Sequence, residues 1–410
     1  MIKVAIFLIL ISNLAIAKQL KRPMPIDKRY IDFQVYGTTI LQGDSVGQST
    51  TSSEYKNVAY TNTNVDIDFN FNKNISALTQ TSVQNRQNGF TRPYAMIDYA
   101  NGNNTIGTFF TNTLPSVRTL ALNLHNKHTS LLVGKFRPRA GVANGVNSNT
   151  INEDWYGLYG MMVNGGYMNS NKIGAQFSTE ITLFPHSHQI LEVALFKNDT
   201  TGLNSPAFGT LGVFGYNLPH SLNGIISQNE AGNTFAPSSL SFFVESMSEL
   251  IDNQTITYSG YYRKQDVDIQ SGTFLQAEKT IVGSVKYEKV IENATLGLFA
   301  NIASVSNAFG VKDVSEKYYT FSAYTNVDNF VIAFVYNMYT MGGVNGIDIN
   351  GVSKSIDNAK LSQTQVSFGY KFNNRYKFDI AYRQMIDGKT QKTSQGVGFG
   401  LRYNIGTKGL

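Results

Sequence analysis

The segment at residues 137–154 has the residue types and spacing to hold opposite charges across a gap. It begins with Arg137 and Arg139, ends with Glu153 and Asp154, and has mostly small, flexible residues such as Gly, Ala and Asn between them. Charged side chains that face each other across a water-filled passage select small ions by their electric field. The segment therefore predicts a charged constriction. The alternative interpretation is an exposed loop whose charges are simply solvated.

Basic side chains later in the chain share one geometric property. Each falls on the polar side of a segment that alternates apolar and polar residues, so each shares a face with other hydrophilic side chains. The set comprises Arg263, Lys286, Lys371, Lys377, Arg383 and Arg402. Because the net charge is +6, this face would concentrate small anions modestly. Acidic residues in the early segments oppose this effect and make any preference weak, namely Asp32, Asp66, Asp68 and Asp98.

Motifs for catalysis or metal binding are weak. Residues 43–47 read Gly-Asp-Ser-Val-Gly, but we expect them in a loop without the strand–turn–helix that exposes a serine nucleophile. No histidine follows His220 to activate that serine. His186 and His188 flank one serine with no third ligand in sequence reach, so a solvated turn is their expected role. Cysteine is absent. We predict no enzymatic activity, no cofactor and no bound metal.

The elements that would carry the charged residues have a period of two rather than a helical period. Ile31, Phe33 and Val35 alternate with polar residues, and the same pattern recurs at residues 65–71, 367–372, 376–383 and 399–405. Successive side chains of a β-strand point to opposite faces. Each segment therefore has one apolar and one polar side. A soluble β-sandwich would show the same alternation, so periodicity alone does not decide the fold.

The composition favours a barrel in which one side of each strand faces lipid. Charged residues are only 15% of the chain, against about 25% in typical globular proteins. In a transmembrane barrel, apolar residues face lipid and polar residues face water, so the mean hydropathy stays near neutral although few residues are charged. Many aromatic residues, including Tyr318, Tyr319 and Tyr403, lie near the ends of alternating runs and fit a girdle at the membrane interface. Ordinary strand propensity would also place aromatic residues there.

Connections between the expected strands alternate between tight turns and longer loops. Turns are expected at 252–254, 292–293, 328–329 and 373–375, and loops at 219–237, 264–273, 306–316, 342–360 and 387–394. Outer-membrane barrels have short periplasmic turns and longer outer loops. This alternation fails at two places. Residues 185–188 form a short connection where a long outer loop is expected, and residues 198–207 form a long connection where a short periplasmic turn is expected.

The strand count follows from these segments. Two weak segments, near 75–83 and 104–112, alternate poorly and are struck from the count. The prediction is one all-β, transmembrane, antiparallel β-barrel of about 18 strands, with 16 as the alternative.

Residues 1–17 have the features of an export signal. Lys3 gives a positive start, an apolar run extends from Val4 to Leu14, and Ala15-Ile16-Ala17 forms a cleavage site. The run is shorter than the roughly 20 residues that cross a bilayer as a helix. We predict removal of this signal, a barrel formed by residues 18–410 with the segment near 137–154 folded inward, and location in the bacterial outer membrane.

The alternating strands, the early arginine-rich segment and the closing run 399–405 together resemble outer-membrane porins, in particular OprD-like porins and related major porins of epsilonproteobacteria. The resemblance covers residues 18–410 as architecture, with few specific motifs. It implies an inward loop with Arg137 and Arg139 on one side of the narrowest point and Glu153 or Asp154 opposite. It also implies a ladder of basic side chains leading solute to that point. The chain departs from the family at its end, where residues 406–410 follow the last strand and no terminal aromatic residue is present.

The predicted function is passive diffusion of small hydrophilic solutes, leaning to anions. The alternative is a barrel acting in surface adhesion or as a structural protein through its long loops at 219–237 and 342–360, and a third possibility is a secreted soluble β-sandwich. Expected partners are outer-membrane lipid, lipopolysaccharide and the solutes themselves, with the protein a homotrimer or a monomer. No nucleic acid is expected, because the basic residues are too dispersed to form a binding surface.

Overall fold

The protein folds as a closed β-barrel. The structure, a computed structural model, describes residues 30–47, 53–85, 113–139, 172–183, 186–198, 237–250, 253–266, 276–308, 312–342, 347–349, 352–354, 359–373, 375–387 and 393–406. Its strands are β1 (Tyr30–Gly47), β2 (Ser53–Asn72), β3 (Ile75–Asn85), β4 (Thr113–His125), β5 (Thr129–Phe136), β6 (Lys172–Ile181), β7 (Ser187–Asn198), β8 (Ser239–Glu249), β9 (Gln254–Gln265), β10 (Glu278–Ile291), β11 (Ala294–Ser306), β12 (Ser315–Val327), β13 (Phe330–Gly342), β14 (Ile347–Ile349), β15 (Val352–Lys354), β16 (Ala359–Asn373), β17 (Tyr376–Asp387) and β18 (Thr393–Gly406).

Sixteen of these strands form the barrel. Each pairs antiparallel with its neighbours along the chain, and β18 pairs with β1 to close the cylinder. β14 and β15 form a small separate sheet in the connection between β13 and β16. The predicted all-β barrel is confirmed, with the alternative number of strands. In the described parts of the chain, no helix is both long enough and apolar enough to cross a bilayer.

One segment removed from the predicted count is a barrel strand. β3 covers the weak segment near 75–83 and pairs along its length with β2 and β4. Its serine, threonine and glutamine residues weaken the alternation, so pairing with two neighbours rather than its own pattern makes it a strand. The other weak segment, 104–112, lies outside the described residues.

The two faces of the sheet differ as the alternation predicts. On β1, Ile31 and Phe33 are 61% and 41% exposed, whereas Gln34 and Tyr36 are 4% and 1% exposed. The same division holds along the other predicted runs. Phe378, Ile380 and Tyr382 of β17, together with Phe399 and Leu401 of β18, project outward. The outer surface is therefore apolar, and the polar side chains face the barrel interior.

Short and long connections lie at opposite ends of the barrel. The short connections at 73–74, 126–128, 182–186, 292–293 and 328–329 join strands at the end where β1 begins and β18 ends. We call this the turn end. The long connections 86–112, 137–171 and 199–238 leave and return at the opposite, loop end. The sequence predicted that the alternation of turns and loops fails at 185–188 and 198–207. This prediction is wrong, because the short connection between β6 and β7 joins them at the turn end and the long connection between β7 and β8 joins them at the loop end.

Asparagine and aspartate side chains shape the turn end. Asn373 Oδ1 accepts hydrogen bonds from the backbone N of Arg375 at 2.7 Å and of Tyr376 at 3.0 Å. Asn126 Oδ1 accepts in the same way from His128 and Thr129, both at 2.8 Å. Such contacts stabilise a tight reversal without a longer loop. The connections predicted to be tight at 292–293, 328–329 and 373–375 do join consecutive strands at this end, while the turn at 126–128 was not predicted.

The closure between β18 and β1 is reinforced on both faces. Gln34 Nε2 donates to Asn404 Oδ1 at 2.7 Å inside the barrel. Outside, Thr63 of β2 hydrogen-bonds the Tyr403 hydroxyl of β18 across Gly37, which pairs with both residues. The Gly-Asp-Ser-Val-Gly motif at 43–47 is not in a loop as predicted. It forms the last residues of β1 and pairs with β2 and β18, because these two strands extend as far towards the loop end as β1 does.

Candidate functional site

The candidate site is the inner wall of the barrel. All six basic residues singled out in the sequence lie on inward positions of their strands. Arg263, Lys377, Arg383 and Arg402 are buried against neighbouring side chains, while Lys286 and Lys371 are partly exposed. Burial of a charge requires a partner of opposite charge or several hydrogen bonds. The geometry of those partners determines what the wall can bind.

Arg263 of β9 is paired across the strand boundary. Its Nη2 lies 2.6 Å from Oε1 of Glu278 and donates to Thr280 Oγ1 at 3.0 Å, both on β10. Both side chains of the ion pair are 3% exposed. The positive charge of Arg263 is therefore largely neutralised by a wall residue.

Asp379 of β17 joins two further cations. Its Oδ1 lies 3.0 Å from Lys377 Nζ, and its Oδ2 lies 3.2 Å from Arg402 Nε on β18. Lys377 and Asp379 are two residues apart and thus point to the same face. Gly369 of β16 leaves room for them, since a Cβ there would lie 2.5 Å from Lys377 Cε. This cluster carries an excess of positive charge near the turn end.

Lys286 and Glu288 form a third pair, on β10. Lys286 Nζ lies 2.8 Å from Glu288 Oε2, and the hydroxyl of Tyr324 donates to Glu288 Oε1. Tyr324 is on β12 and reaches β10 by lying over Gly297 of β11. A Cβ on Gly297 would lie 1.9 Å from the Tyr324 ring. The glycine is therefore required for a contact that spans three strands.

Residues 137–139, directly after β5, lie against the inner wall. Gly134 has φ +133°, and the alternation is interrupted there because Lys135 and Phe136 are both buried. Such an interruption re-aims the following residues, as in a β-bulge. Three residues after β5, Arg139 Nε lies 3.3 Å from Glu192 Oε1 of β7, and its guanidinium lies 5.9 Å from the Phe243 ring centre of β8.

The predicted constriction residues are only partly described. Arg137 is partly exposed beside the buried Pro138, and Arg139 reaches the inner wall. Glu153, Asp154 and the strand predicted after them lie outside the described residues. Contact of Arg139 with two strands beyond β6 shows that the described start of this connection lies over the inner wall.

An apolar patch surrounds this entry point. Phe136, Ala194 and Phe196 pack together with Leu132 on the inner face of β5 and β7. Lys172, at the start of β6, holds its Nζ 5.9 Å from the Phe196 ring centre. An inner wall in contact only with water would not favour buried aromatic side chains at this position. The patch lies where the connection from β5 to β6 leaves and rejoins the sheet.

The acidic residues of the early strands line the wall beside the closure. Asp32 of β1 and Asp66 and Asp68 of β2 are inward-facing. Gln80 Nε2 of β3 donates to Asp66 Oδ1 at 3.0 Å and to the Tyr36 hydroxyl at 2.7 Å. Asp98 lies outside the described residues. These carboxylates lie on β1 and β2, and Asp379 lies on β17, on the other side of β18. Their charge is opposite in sign to that of the basic cluster around Asp379.

Uncharged polar contacts cover the wall between β10 and β13. Ser284 Oγ donates to Asn301 Oδ1 at 2.8 Å, and Thr320 Oγ1 donates to Asn337 Oδ1 at 2.9 Å. Tyr318 is not in the aromatic girdle predicted for it. It points inward, fully buried, with its ring centre 5.1 Å from that of Tyr339, because it shares the inward parity of Thr320.

Sequence reasoning identified the cations but missed their partners. Four acids contact predicted site residues, namely Glu192, Glu278, Glu288 and Asp379, and Tyr324 in turn contacts Glu288. Two of the acids had a usable signal, since Lys286 and Glu288, like Lys377 and Asp379, are two residues apart and share a face. Glu192 and Glu278 are distant in sequence from Arg139 and Arg263, so only the strand order brings each pair together.

Potential metal ligands do not cluster in the described part of the chain. No group of three or more His, Asp or Glu side chains there could hold a metal ion. His188 Nε2 lies 3.7 Å from Glu180 Oε2, and His186 lies in the turn before β7.

Comparison with known proteins identifies the fold. No protein-family profile matches the sequence, and no curated protein matches it. Among solved structures, OprB of Pseudomonas putida is similar with a TM-score of 0.54 at 9% identity, over 92% of this chain and 94% of that chain. The loop L8 deletion mutant of OmpT, an outer-membrane protein of Vibrio cholerae, gives 0.52 at 10% identity, over 92% of this chain and 100% of that one.

A third similar structure is the anion-selective porin from Comamonas acidovorans, with a TM-score of 0.50 at 10% identity, over 92% of this chain and 100% of that one. At such low identity these likenesses support the barrel fold and nothing finer, and the number of strands comes from the topology of this chain. The resemblance to OprD-like porins stays a prediction.

Proposed function

We propose that the protein is an outer-membrane porin through which small hydrophilic solutes diffuse passively. The observation that carries this proposal is the division of one closed sheet into an apolar outside and a polar, charged inside. An exposed apolar surface of this extent would cause aggregation in water. It fits a bilayer, in which a closed barrel also satisfies every backbone hydrogen bond without an exposed edge. Large barrels of this class leave an aqueous channel.

The segment near 137–154 is proposed to fold inward and narrow this channel. Support comes from Arg139, which contacts Glu192 and Phe243 on the inner wall, and from the apolar patch of Phe136, Ala194 and Phe196 beside it. A narrow point with Arg137 and Arg139 on one side and Glu153 or Asp154 on the other would carry a transverse field.

Selectivity for anions is proposed to be weak. The proposed basic ladder comprises Arg263, Lys286, Lys371, Lys377, Arg383 and Arg402. Arg263, Lys286, Lys377 and Arg402 each contact a carboxylate of the wall. A charge paired at this distance has a small residual field beyond its partner. The excess of cations around Asp379 favours anions only locally.

Reconstitution of the purified chain in a planar bilayer tests the proposal. Discrete conductance steps, with a reversal potential displaced slightly towards that of the anion in a salt gradient, are the expected result. A sealed barrel would contradict the pore and favour the adhesin or structural role. Recovery from the periplasm without detergent would contradict both readings and favour a soluble β-sandwich.

A further inference from the structure

We propose that Lys286, Glu288 and Tyr324 form a subsite for small zwitterions on the inner wall. The inference deepens the proposed pore function, on which it rests, by naming a solute class. Zwitterions of this kind carry one ammonium and one carboxylate group close together, as free amino acids do.

Solvent access distinguishes this pair from the other lysine–carboxylate and arginine–carboxylate pairs of the inner wall described above. Lys286 and Glu288 are 18% and 30% exposed, whereas Lys377 and Asp379 are each 1% exposed. Arg139 is open but its partner Glu192 is 6% exposed. A solute in the barrel can therefore approach both members of the Lys286–Glu288 pair. The other lysine–carboxylate and arginine–carboxylate pairs present at most one accessible charge. His188 and Glu180 are 28% and 20% exposed, but they form an ion pair only when the histidine is protonated.

The carboxylate of Glu288 is held in a defined orientation. Tyr324 donates to Oε1 and Lys286 contacts Oε2. Gly297 allows the Tyr324 ring to cross β11 and make this contact. Binding sites are effective when their polar groups are positioned before the ligand arrives. The ring also limits the site on one side, so that a solute approaches Glu288 from the interior of the barrel.

Two opposite charges in contact discriminate between solute classes. Lys286 attracts an anion, but Glu288 repels it at nearly the same distance. Glu288 attracts a cation, but Lys286 repels it in the same way. A zwitterion places its carboxylate on Lys286 and its ammonium on Glu288, so both charges gain a partner. Exchange of one ion pair for two also leaves no charge unpaired. Weak binding of this kind permits both entry and release, as permeation requires.

Isomeric probes test the inference in liposomes that contain the full chain. Alanine and lactamide have the same atoms, but alanine is a zwitterion at neutral pH and lactamide is uncharged. At low solute concentration, we expect alanine to cause swelling about two- to fivefold faster than lactamide, the ratio that a partly exposed charge pair supplies. The double variant Lys286→Met with Glu288→Gln should reduce this ratio to about one.

A matched control exists on the neighbouring strand. Lys264 and Asp266 are also two residues apart, with Nζ 2.9 Å from Oδ1, but Lys264 has the outward parity of β9. The double variant Lys264→Met with Asp266→Asn should keep the wild-type ratio. Variants are first checked for folding by their heat-modifiable migration in gels. Tyr324→Phe, which removes only the hydroxyl, should lower the ratio even if the double variant fails to fold.

Single substitutions give opposite electrical signatures. Glu288→Gln leaves an accessible cation and should move the reversal potential towards that of the anion, while Lys286→Met should move it towards that of the cation. Absence of swelling and conductance in the wild type would refute the pore itself. A wild type that conducts but admits both isomers equally, or a folded double variant that keeps the ratio, would overturn the subsite alone.

Discussion

Replacement of Asp379 by asparagine tests how far the inner wall depends on buried charge pairing. Asp379 is 1% exposed, and its two oxygens separately contact Lys377 Nζ at 3.0 Å and Arg402 Nε at 3.2 Å. Asp379→Asn changes the charge and almost nothing else in size. The substitution leaves two nearly buried cations facing a neutral amide. Its cost therefore reports the electrostatic role of the carboxylate.

The expected loss of stability follows from burial. Removal of one partner from a buried ion pair costs about 3–5 kcal/mol. The amide oxygen retains one hydrogen bond, worth about 1 kcal/mol, so the free energy of unfolding should fall by about 2–4 kcal/mol for Asp379→Asn. Lys264 and Asp266 provide the comparison, since their separation is 2.9 Å but their side chains are 45% and 25% exposed. Asp266→Asn should cost at most about 1 kcal/mol.

Equilibrium unfolding in urea, in lipid vesicles and followed by circular dichroism of the sheet, measures both values. A second substitution sharpens the test. Adding Lys377→Met to Asp379→Asn removes one of the two cations that lose the carboxylate and should recover part of the loss, because the penalty lies in buried charge. Equal losses for Asp379→Asn and Asp266→Asn, or no recovery in the double variant, would refute the reasoning from burial.

Three further experiments, each based on substitutions, test separate features of the barrel. Gly297→Ala places a Cβ 1.9 Å from the Tyr324 ring and should cost about 1–3 kcal/mol in urea unfolding, whereas Gly283→Ala meets nothing within 4 Å and should be neutral. Replacing Arg137 and Arg139 together by glutamine should move the reversal potential towards that of the cation, and an unchanged value would place the segment outside the conduction path. Phe399→Lys, on the outer face near the middle of β18, should lower the free energy of unfolding by about 2–4 kcal/mol, the cost of a lysine at the bilayer centre. Gln395→Lys, nearer the loop end of the same strand, should lower it by about 0–1 kcal/mol. Similar losses for both variants would argue against a lipid-facing surface.

The local pattern predicted most elements, but not the number of strands. Residues 31–36 and 376–383 alternate strongly and form strands with the predicted faces. β3 alternates weakly, yet it is a strand because β2 and β4 pair with both of its edges. A single segment carries no information about its neighbours, and barrel closure supplies those neighbours. The assignment of β3 therefore depended on a global property that no local pattern contains, although its omission does not explain a predicted count above sixteen.

For the candidate site, the sequence likewise predicted which side chains face inward but not which of them pair. Parity along each strand indicated that Arg263 and Arg402 share a face with polar side chains, and the structure places both inside. Parity did not indicate that Arg263 meets Glu278 or that Arg402 meets Asp379, since these partners belong to adjacent strands and depend on register. A register shift of one residue would turn a partner to the opposite face.

The amino-acid sequence by itself determined the two faces and the tight turns. A period of two sends alternate side chains to opposite sides of any strand, and Asn or Asp at the turns stabilises a reversal locally. Tertiary structure decided which charges neutralise each other, because strand order and register bring Arg139 to Glu192 and Tyr324 across Gly297 to Glu288. Coulombic and hydrogen-bond energies depend on separation in space, and the closed sheet sets that separation between residues distant in the chain.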